Sequence, residues 1–335
     1  MQNSKKLLLR LSSAGDVLLT SPLLKLIKER EPGSEIHFVV KSQFADLIRS
    51  NPNVNRLHIV HDHPEFHHLE NLRRELVAEK FDVTLDLHNN FRTVYLRRGT
   101  APKIRVIGKD ILKRFVLVNS RLNLYSTVRP VALKYAQTYD KSLQEVSRPE
   151  IFFPDSVVNG VDAVWRSLGP ESSISVFLCP GARHFTKRWP VEYWTALAGT
   201  LSQQSRIVLL GGIADVEACN EIQKETNAVN FCNKFSLLES AAMLRHASVV
   251  VTNDSYLMHA ANALGKKTVA IFGSSVKEFG FFPYDVENKV LEVRGLPCRP
   301  CSHVGLESCP RQHFKCMKET LPDKVEAAVR AMLES

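Results

Sequence analysis

The sequence predicts an α/β protein built from two parallel-sheet domains. Short apolar runs alternate with segments of helical spacing over most of the 335 residues, and a chain of this length suits two hydrophobic cores. The clearest unit begins at Val249 with a β-branched strand, continues through the polar turn 253–255 and a helix that Gly265 ends, and closes with a strand at Lys267–Phe272. This order is typical of a parallel β-α-β unit.

The first predicted domain covers residues 1–150. It opens with an apolar strand at 7–11, a turn of small residues at 12–16 and a helix at 17–30, in which apolar side chains recur at helical spacing and Pro22 lies in the first turns. Strands and helices alternate from there to residue 107, as in a parallel α/β domain. The further strands are predicted at 35–40, 57–60, 81–87 and 103–107, and the further helices at 44–48 and 64–80.

The second predicted domain covers residues 151–320. Pro149 and Pro154 bracket an extended segment that we interpret as the linker, and Pro190 is well placed to begin a helix. A terminal helix in 321–335 is expected to pack back toward the first domain. Besides the unit that begins at residue 249, strands are predicted at 174–179 and 206–210, and helices at 190–201, 213–226 and 235–246.

Positive charge is unevenly spread along the chain, whose formal net charge is +9. A block this large and of one sign is typical of a surface that meets a polyanion, which would be nucleic acid, anionic lipid headgroups or a phosphorylated glycan. A solvated basic face without a partner remains open. Between Phe91 and Thr138 the only acid is Asp110, and the cations are Arg92, Arg97, Arg98, Lys103, Arg105, Lys109, Lys113, Arg114, Arg121, Arg129 and Lys134.

The apolar runs of this sequence are too short for a membrane-spanning helix, which needs roughly 20 residues. The N-terminal apolar stretch is interrupted by Arg10 and soon reaches Gly15 and Asp16, a pattern that favours a first strand over a signal peptide. We therefore expect a cytoplasmic protein.

Asp16 follows Gly15 where the first strand gives way to a helix. Glycine allows a tight turn there, and a carboxylate at the carboxyl edge of a sheet is a candidate general base. Aspartate also caps helices, so a purely structural role for Asp16 remains open.

The loop at 179–190 combines a glycine turn at Gly181 with the cations Arg183, Lys187 and Arg188. Cations in such a loop suit a pyrophosphate, whose charge must be neutralised as it leaves. A solvent-facing basic loop is the alternative.

The turn at 253–255 is a second candidate phosphate site. It lies at the carboxyl end of a predicted strand and at the N-terminus of the next helix, where backbone N–H groups are exposed. An ordinary capped helix is the alternative.

Four cysteines, Cys298, Cys301, Cys309 and Cys316, lie close together in the sequence. Their thiolates could hold a structural zinc ion, although the spacing differs from that of a symmetric zinc ribbon. Reduced thiols in a loop, or a disulfide, are the alternatives.

Taken together, these motifs resemble the ADP-heptose:lipopolysaccharide heptosyltransferase family, glycosyltransferase family 9. The resemblance runs from about residue 7 to the terminal helix. It is carried by four stretches in the order and spacing of the family, which are 13–22, 181–190, 253–261 and 268–273. The cysteine cluster is similar to one in the heptosyltransferase II branch.

The resemblance implies a GT-B architecture, in which two Rossmann-like domains face each other across a cleft. It implies inverting transfer of a heptose from an ADP-heptose donor to the inner core of lipopolysaccharide, with Asp16 as the general base and Lys187 at the departing diphosphate. It also implies that no metal or other cofactor is required. The residues that it places at the donor are Gly15, Gly181, Arg183, Thr186, Asp254, Ser255 and His259.

The N-terminal half of this family faces the acceptor, so we expect Arg92, Arg97 and Arg98 to bind the phosphates and carboxylates of the inner core. The same charge would hold the protein peripherally at the anionic inner face of the inner membrane. One position departs from the family, because Tyr256 stands where the family usually has glycine. A side chain there would crowd the phosphate or open the turn.

Two other functions remain open from the sequence. A GT-B enzyme that uses another nucleotide sugar, as a transferase or an epimerase, would share the donor-binding residues. A nucleic-acid-binding protein would explain the basic window, but the sequence has no helix-turn-helix, RNP or zinc-finger pattern and few aromatics among the cations. We therefore expect no nucleic-acid partner.

Overall fold

The computed structural model describes residues 4–169 and 174–335, and the chain divides into two compact units. The N-terminal unit consists of Met1–Lys109 and Val131–Phe152, and the C-terminal unit of Asp110–Pro130 and Phe153–Ser335. The principal boundary thus lies at residue 152, close to the predicted 150. The segment Asp110–Pro130 differs from the prediction, because it packs with the C-terminal unit rather than with the N-terminal one.

The strands of the described residues are all parallel to their sheet neighbours. In chain order they are β1 Lys5–Leu9, β2 Glu35–Lys41, β3 Arg56–Val60, β4 Val83–Asp86, β5 Lys103–Val106, β6 Ser175–Cys179, β7 Arg206–Leu209, β8 Val229–Asn230, β9 Val249–Asn253, β10 Lys267–Phe272 and β11 Asn288–Glu292. The predicted strands are all present within a few residues, and β8 and β11 are additional.

The helices pack against these sheets, and short 3-10 turns join some of them. In chain order they are α1 Ala14–Leu18, α2 Ser21–Arg30, α3 Asp46–Arg49, α4 Phe66–Ala78, α5 Phe91–Leu96, α6 Ile111–Ser120, α7 Val131–Tyr139, α8 Asp155–Ser167, α9 Val191–Leu201, α10 Val216–Glu225, α11 Leu237–Met243, α12 Tyr256–Ala263, α13 Lys315–Lys318 and α14 Pro322–Glu334.

The sheet of the N-terminal unit has the strand order β3-β2-β1-β4-β5. Its central strand β1 carries Leu7, Leu8 and Leu9, all fully buried, as expected for a parallel strand covered on both faces. The strand order reverses between β1 and β4, where Leu9 lies opposite Asp86. In open parallel sheets, ligands bind outside the carboxyl ends of the strands at such a reversal.

The predicted helix at 17–30 is two helices in the structure, α1 and α2. Pro22, the second residue of α2, has no backbone N–H with which to continue the ladder of α1. Two hydroxyls bond to carbonyls at the end of α1, because Thr20 Oγ1 donates to Val17 O at 2.6 Å and Ser21 Oγ donates to Leu18 O at 2.8 Å. The break keeps α1 short, directly at the end of β1.

The sheet of the C-terminal unit has the order β11-β10-β9-β6-β7-β8, which reverses between β6 and β9. Its core includes Trp189 and Trp194, which pack edge to face with ring centroids 5.1 Å apart. The terminal helix α14 packs on α9, β9 and β10 of this same unit, because Val325 and Val329 join that core. The expected packing of this helix toward the N-terminal domain stays a prediction.

A membrane-spanning helix is absent from residues 4–169 and 174–335, where no helix is both long and apolar enough to cross a bilayer.

Candidate active site

Polar residues, among them the predicted Asp16, Lys187 and Asp254, follow the strands at the strand-order reversals of the two sheets. In the N-terminal unit, Asp16 follows β1 and His88 follows β4, the two strands at the reversal. In the C-terminal unit, Lys187 belongs to the loop after β6 and Asp254 comes directly after β9, again the two strands at the reversal. Each unit therefore has a polar site where an open parallel sheet binds its ligands.

The carboxylate of Asp16 accepts hydrogen bonds on both oxygens. Oδ1 lies 2.7 Å from Nη2 of Arg10 and 2.8 Å from the hydroxyl of Tyr135. Oδ2 accepts from the hydroxyl of Ser13 at 2.8 Å and from its backbone N–H at 3.1 Å. Asp16 is thus the third residue of α1 and bonds back to the N-cap Ser13 in a capping box, rather than being the N-cap of a helix that begins at Val17.

The cluster around Asp16 keeps its carboxyl group ionised. Burial alone would raise the pKa of Asp16, but the charge of Arg10 and the hydrogen bonds from Tyr135 and Ser13 outweigh it and hold the pKa below its usual value. The Arg10 guanidinium also lies 5.3 Å from the ring centroid of Tyr135, a cation–π contact. Among these donors only Ser13 is exposed.

His88 is a further polar residue near Asp16, and the sequence analysis did not single it out. Its Nδ1 accepts from the backbone N–H of Leu11 at 3.2 Å. Burial, together with the charge of Arg10, lowers the pKa of His88 to about 3, so the ring is neutral at physiological pH. The sequence did offer a signal for His88, because this residue follows a buried apolar strand, as Asp16 does.

The three arginines predicted to bind the acceptor differ in their surroundings. Arg97 is half-buried, and its Nη1 lies 2.7 Å from Oδ2 of the fully buried Asp86 and 3.3 Å from Oδ1 of Asn89. This pair leaves less of the Arg97 guanidinium for a ligand. Arg92 is partly exposed and Arg98 is exposed, and both belong to or follow α5.

In the C-terminal unit, Lys187 and Asp254 form an ion pair. The Nζ of Lys187 lies 2.7 Å from Oδ2 of Asp254, and the same oxygen accepts from the hydroxyl of Ser275 at 2.6 Å. Both side chains are largely buried, with 14% of Lys187 and 6% of Asp254 exposed. A lysine fixed in this way is held at the carboxyl ends of the strands rather than free in solvent.

Thr186 fixes the backbone that carries Lys187. Its hydroxyl donates to Ser274 Oγ at 2.9 Å and accepts from the N–H of Leu306 at 2.8 Å, and its own N–H donates to Leu306 O at 3.1 Å. Thr186 is fully buried, so these bonds connect the loop after β6 to the loop after β10 and to the cysteine-rich segment. The geometry therefore indicates a structural part for Thr186 in placing its neighbour.

Gly181 makes room for a side chain of the protein itself. A Cβ atom at this position would collide with the carboxylate of Asp215, so a larger residue would require that side chain to move. Asp215 lies 3.4 Å from Nη2 of Arg188, and burial raises its pKa despite that charge and a bond from the N–H of Gly212. Arg183, on the same loop, is exposed.

Two predicted residues, Asp254 and Ser255, lie in the turn before α12, whereas His259 and the departure Tyr256 belong to the helix itself. Ser255 is the N-cap residue of α12, but its side chain makes no bond to the first turn of the helix. The hydroxyl of Tyr256 donates to the carbonyl of Leu237 at 3.1 Å, so this side chain is turned toward α11. His259 is buried, with its ring 6.3 Å from that of Phe281.

The structure does not support the predicted zinc site at Cys298, Cys301, Cys309 and Cys316. Among the residues that the structure describes, no group of three or more His, Cys, Asp or Glu side chains is placed to hold a metal ion. Cys316 belongs to the hydrophobic core, and burial raises its pKa to about 12, which favours the thiol over the thiolate that zinc requires. All four cysteines are free thiols.

The fold and the two sites define a class of protein. Two Rossmann-like parallel-sheet units in one chain, each with charged residues at its strand-order reversal, are the architecture of the GT-B glycosyltransferases. The sequence model of glycosyltransferase family 9 (heptosyltransferase) matches residues 69–309. The chain belongs to this family and is a glycosyltransferase, as the motifs predicted.

Known proteins of the same kind are similar to this chain over nearly its whole length. Lipooligosaccharide heptosyltransferase 2 of Campylobacter jejuni is 27% identical, over 95% of this chain and 96% of its own. The structure of a family 9 glycosyltransferase from Veillonella parvula matches with a TM-score of 0.81 at 22% identity, covering 100% of this chain and 99% of its own. That of the ADP-heptose lipopolysaccharide heptosyltransferase II of E. coli matches with a TM-score of 0.77 at 22% identity, over 98% of each chain.

Proposed function

We propose that this protein transfers a heptose from ADP-heptose to the inner core of lipopolysaccharide with inversion at the anomeric carbon. The observation that carries the proposal is the meeting of Lys187 and Asp254 at the reversal point of the C-terminal sheet, in a chain of family 9. The names of the relatives favour the same donor and acceptor, and those named heptosyltransferase 2 favour the heptosyltransferase II branch.

In the proposed reaction, Asp16 is the general base. It accepts the proton of an acceptor hydroxyl as that oxygen attacks the anomeric carbon of the heptose, while the bond from this carbon to the diphosphate breaks and ADP leaves with the bonding electrons. The low pKa of Asp16 keeps it ionised and ready to accept a proton. The acceptor hydroxyl takes the place of the Ser13 hydroxyl on Oδ2, while Arg10 and Tyr135 keep Oδ1 in position.

The donor diphosphate is bound by the C-terminal unit. Lys187 neutralises its charge as ADP departs, and the first turn of α12 offers N–H groups beside Ser255, whose side chain does not cap them. These groups do the work for which other transferases use a metal ion. Gly181, Arg183, Thr186 and His259 complete the proposed donor-binding set of this unit, with Gly181 and Thr186 acting through the loop that they shape. Gly15, in α1 of the N-terminal unit, is the remaining residue proposed for the donor.

Acceptor binding is proposed for the basic residues of α5 and its C-terminal end. Arg92 and Arg98 present their charge to solvent, and Arg97 stabilises the turn after β4 through Asp86. The phosphates and carboxylates of the inner core suit such cations. We further propose that the protein acts at the cytoplasmic face of the inner membrane and touches its anionic surface.

Nucleotide binding tests the donor assignment. Isothermal calorimetry with ADP, UDP, GDP and CMP should show selective binding of ADP, followed by tighter binding of ADP-heptose. A preference for UDP would contradict the ADP donor and favour another nucleotide sugar. Absence of binding for all four nucleotides would contradict the donor site.

A further inference from the structure

Exposed apolar side chains are concentrated in one short part of the chain. Six of the fifteen large hydrophobic residues that are exposed among the described residues lie within residues 111–128, which we name the exposed apolar segment. Large apolar side chains exposed in such number over a short segment are typical of an interaction site. The six are Ile111 at 72%, Leu112 at 70%, Phe115 at 63%, Leu122 at 63%, Leu124 at 48% and Val128 at 48% exposure.

The helix in this segment presents its wider apolar face to solvent. Ile111, Leu112 and Phe115 lie on one side of α6, because residues one and four apart along a helix share a face of about 100°. Leu117 is the one buried residue of α6, and it lies on the opposite side of the helix. A surface helix whose apolar residues served only to pack on its own protein would bury most of them and expose its polar residues.

The exposed apolar segment is held firmly on the C-terminal unit. After α6, Nε of Arg121 donates to Pro297 O at 3.1 Å and its Nη2 donates to Cys298 O at 3.2 Å. Asn123 Nδ2 donates to Glu278 at 3.0 Å, and the amine of Lys113 lies 5.6 Å from the ring centroid of Tyr125. The apolar side chains are therefore displayed by a fixed scaffold.

The charge of the exposed apolar segment indicates what kind of surface it binds. Residues 110–130 contain four cations, Lys113, Arg114, Arg121 and Arg129, and one acid, Asp110. Apolar side chains combined with an excess of cations are typical of a helix that lies in the interface of an anionic bilayer, with its apolar face in the boundary between headgroups and acyl chains. All four cations are partly exposed, so the segment offers both components of such an interface.

We propose that the exposed apolar segment inserts Ile111, Leu112 and Phe115 into the surface of an anionic lipid bilayer. The inference deepens the membrane contact of the proposed function and rests on it, since it assigns that contact to one segment of the C-terminal unit rather than to the basic residues of α5. Its test requires neither donor nor acceptor, so it can fail or succeed independently of the transfer reaction.

The test is co-sedimentation of the full-length protein with vesicles. Wild type should bind vesicles of phosphatidylcholine with phosphatidylglycerol, bind pure phosphatidylcholine vesicles much less, and lose binding as salt is raised. The double variant Leu112→Ser/Phe115→Ser, which leaves the net charge unchanged, should lower the partition coefficient about tenfold or more. Phe66→Ser is the matched control, because Phe66 is equally exposed at 66% but lies on α4 of the other unit.

Two outcomes would overturn the proposal. Equal vesicle binding by wild type and the double variant, with both shown by circular dichroism to be folded, would exclude insertion of the segment. A wild-type dimer that the double variant abolishes in sedimentation velocity, without a change in vesicle binding, would make the segment a contact between two copies of the chain. Vesicle binding through the segment in a protein that transfers no heptose would contradict the proposed function alone.

Discussion

The amine of Lys187 lies 2.7 Å from the carboxylate of Asp254, so two residues predicted separately for the donor site form one ion pair. The pair arises because β6 and β9 are neighbours in the sheet although about 70 residues separate them, with Cys179 opposite Thr252. It holds the lysine in place before a diphosphate reaches it. The entropy of ordering a long side chain is thus lost on folding rather than on binding.

Replacing Lys187 tests the donor side of the account. Lys187→Ala removes a charge-assisted bond to the diphosphate, and we expect ADP to bind about tenfold to a hundredfold more weakly, since such a bond contributes roughly 1.5–3 kcal/mol. Isothermal calorimetry measures the change. Lys315→Ala is the control, because Lys315 also pairs with a carboxylate, that of Glu319 at 3.8 Å, but on the surface of α13. Equal ADP affinity in wild type and Lys187→Ala would contradict the assignment.

Thr186→Val tests whether the cysteine-rich segment positions the lysine loop. The variant keeps the shape of the side chain but leaves the N–H of Leu306 without its acceptor, so we expect a loss of about 1–3 kcal/mol in the free energy of unfolding. ADP affinity should fall by less than in Lys187→Ala. Urea denaturation and calorimetry give both values. Thr195→Val is the control, since Thr195 bonds only within α9 to Val191 O; matching losses in the two variants would argue against the bracing role.

The pH profile tests the surroundings of the base. Tyr135→Phe removes a hydrogen bond that stabilises the ionised form of Asp16, so the pKa of Asp16 should rise. Because the protonated form is inactive as a base, the acid limb of kcat/KM should then move to higher pH, with ADP affinity unchanged. Tyr139→Phe serves as the control: Tyr139 is also on α7, but its hydroxyl bonds to Glu31 at 2.6 Å. If the acid limb of Tyr135→Phe stayed at the wild-type pH, the proposed effect of Tyr135 on the pKa of the catalytic base would be contradicted.

Acid should destabilise the protein partly through His88. Its pKa is lowered to about 3 in the folded state, against an ordinary value of about 6.5. Between these values the unfolded chain binds a proton that the folded protein does not. The contribution of His88 to the free energy of unfolding is therefore largest above pH 6.5 and decreases as the pH falls toward 3. Urea midpoints between pH 7.5 and 5 should fall less steeply for His88→Gln than for wild type. His63→Gln, at an exposed position, should keep the wild-type slope.

Much of the fold could be predicted from apolar periodicity, because buried parallel strands are nearly continuous apolar runs. Asp16, Lys187 and Asp254 could be singled out for the same reason, since each comes in the loop after such a strand. The two-residue strand β8 is too short to leave a pattern. The segment at Asp110–Pro130 was assigned to the first domain because it precedes the proline-bracketed linker, and position along the chain does not show on which core a helix packs.

The hydrogen-bond partners of Asp16 could not be predicted from the sequence. Tyr135 is 119 residues away and bonds to Asp16 only because α7 packs on α2 beside β1. Arg10 was noted only as an interruption of an apolar run. Tyr256 was expected to crowd the phosphate turn, whereas its hydroxyl reaches Leu237 on α11, a direction that sequence spacing does not give.

The most direct test of the account is transfer of heptose from ADP-heptose to two lipopolysaccharide acceptors, one without inner-core heptose and one with a single heptose, measured for wild type and Asp16→Asn. We predict transfer with release of ADP by wild type. Asp16→Asn should bind ADP as wild type does and lose about a hundredfold to ten-thousandfold in kcat, the usual range for removal of a general base. An Asp16→Asn protein that keeps most of its kcat would contradict the central claim.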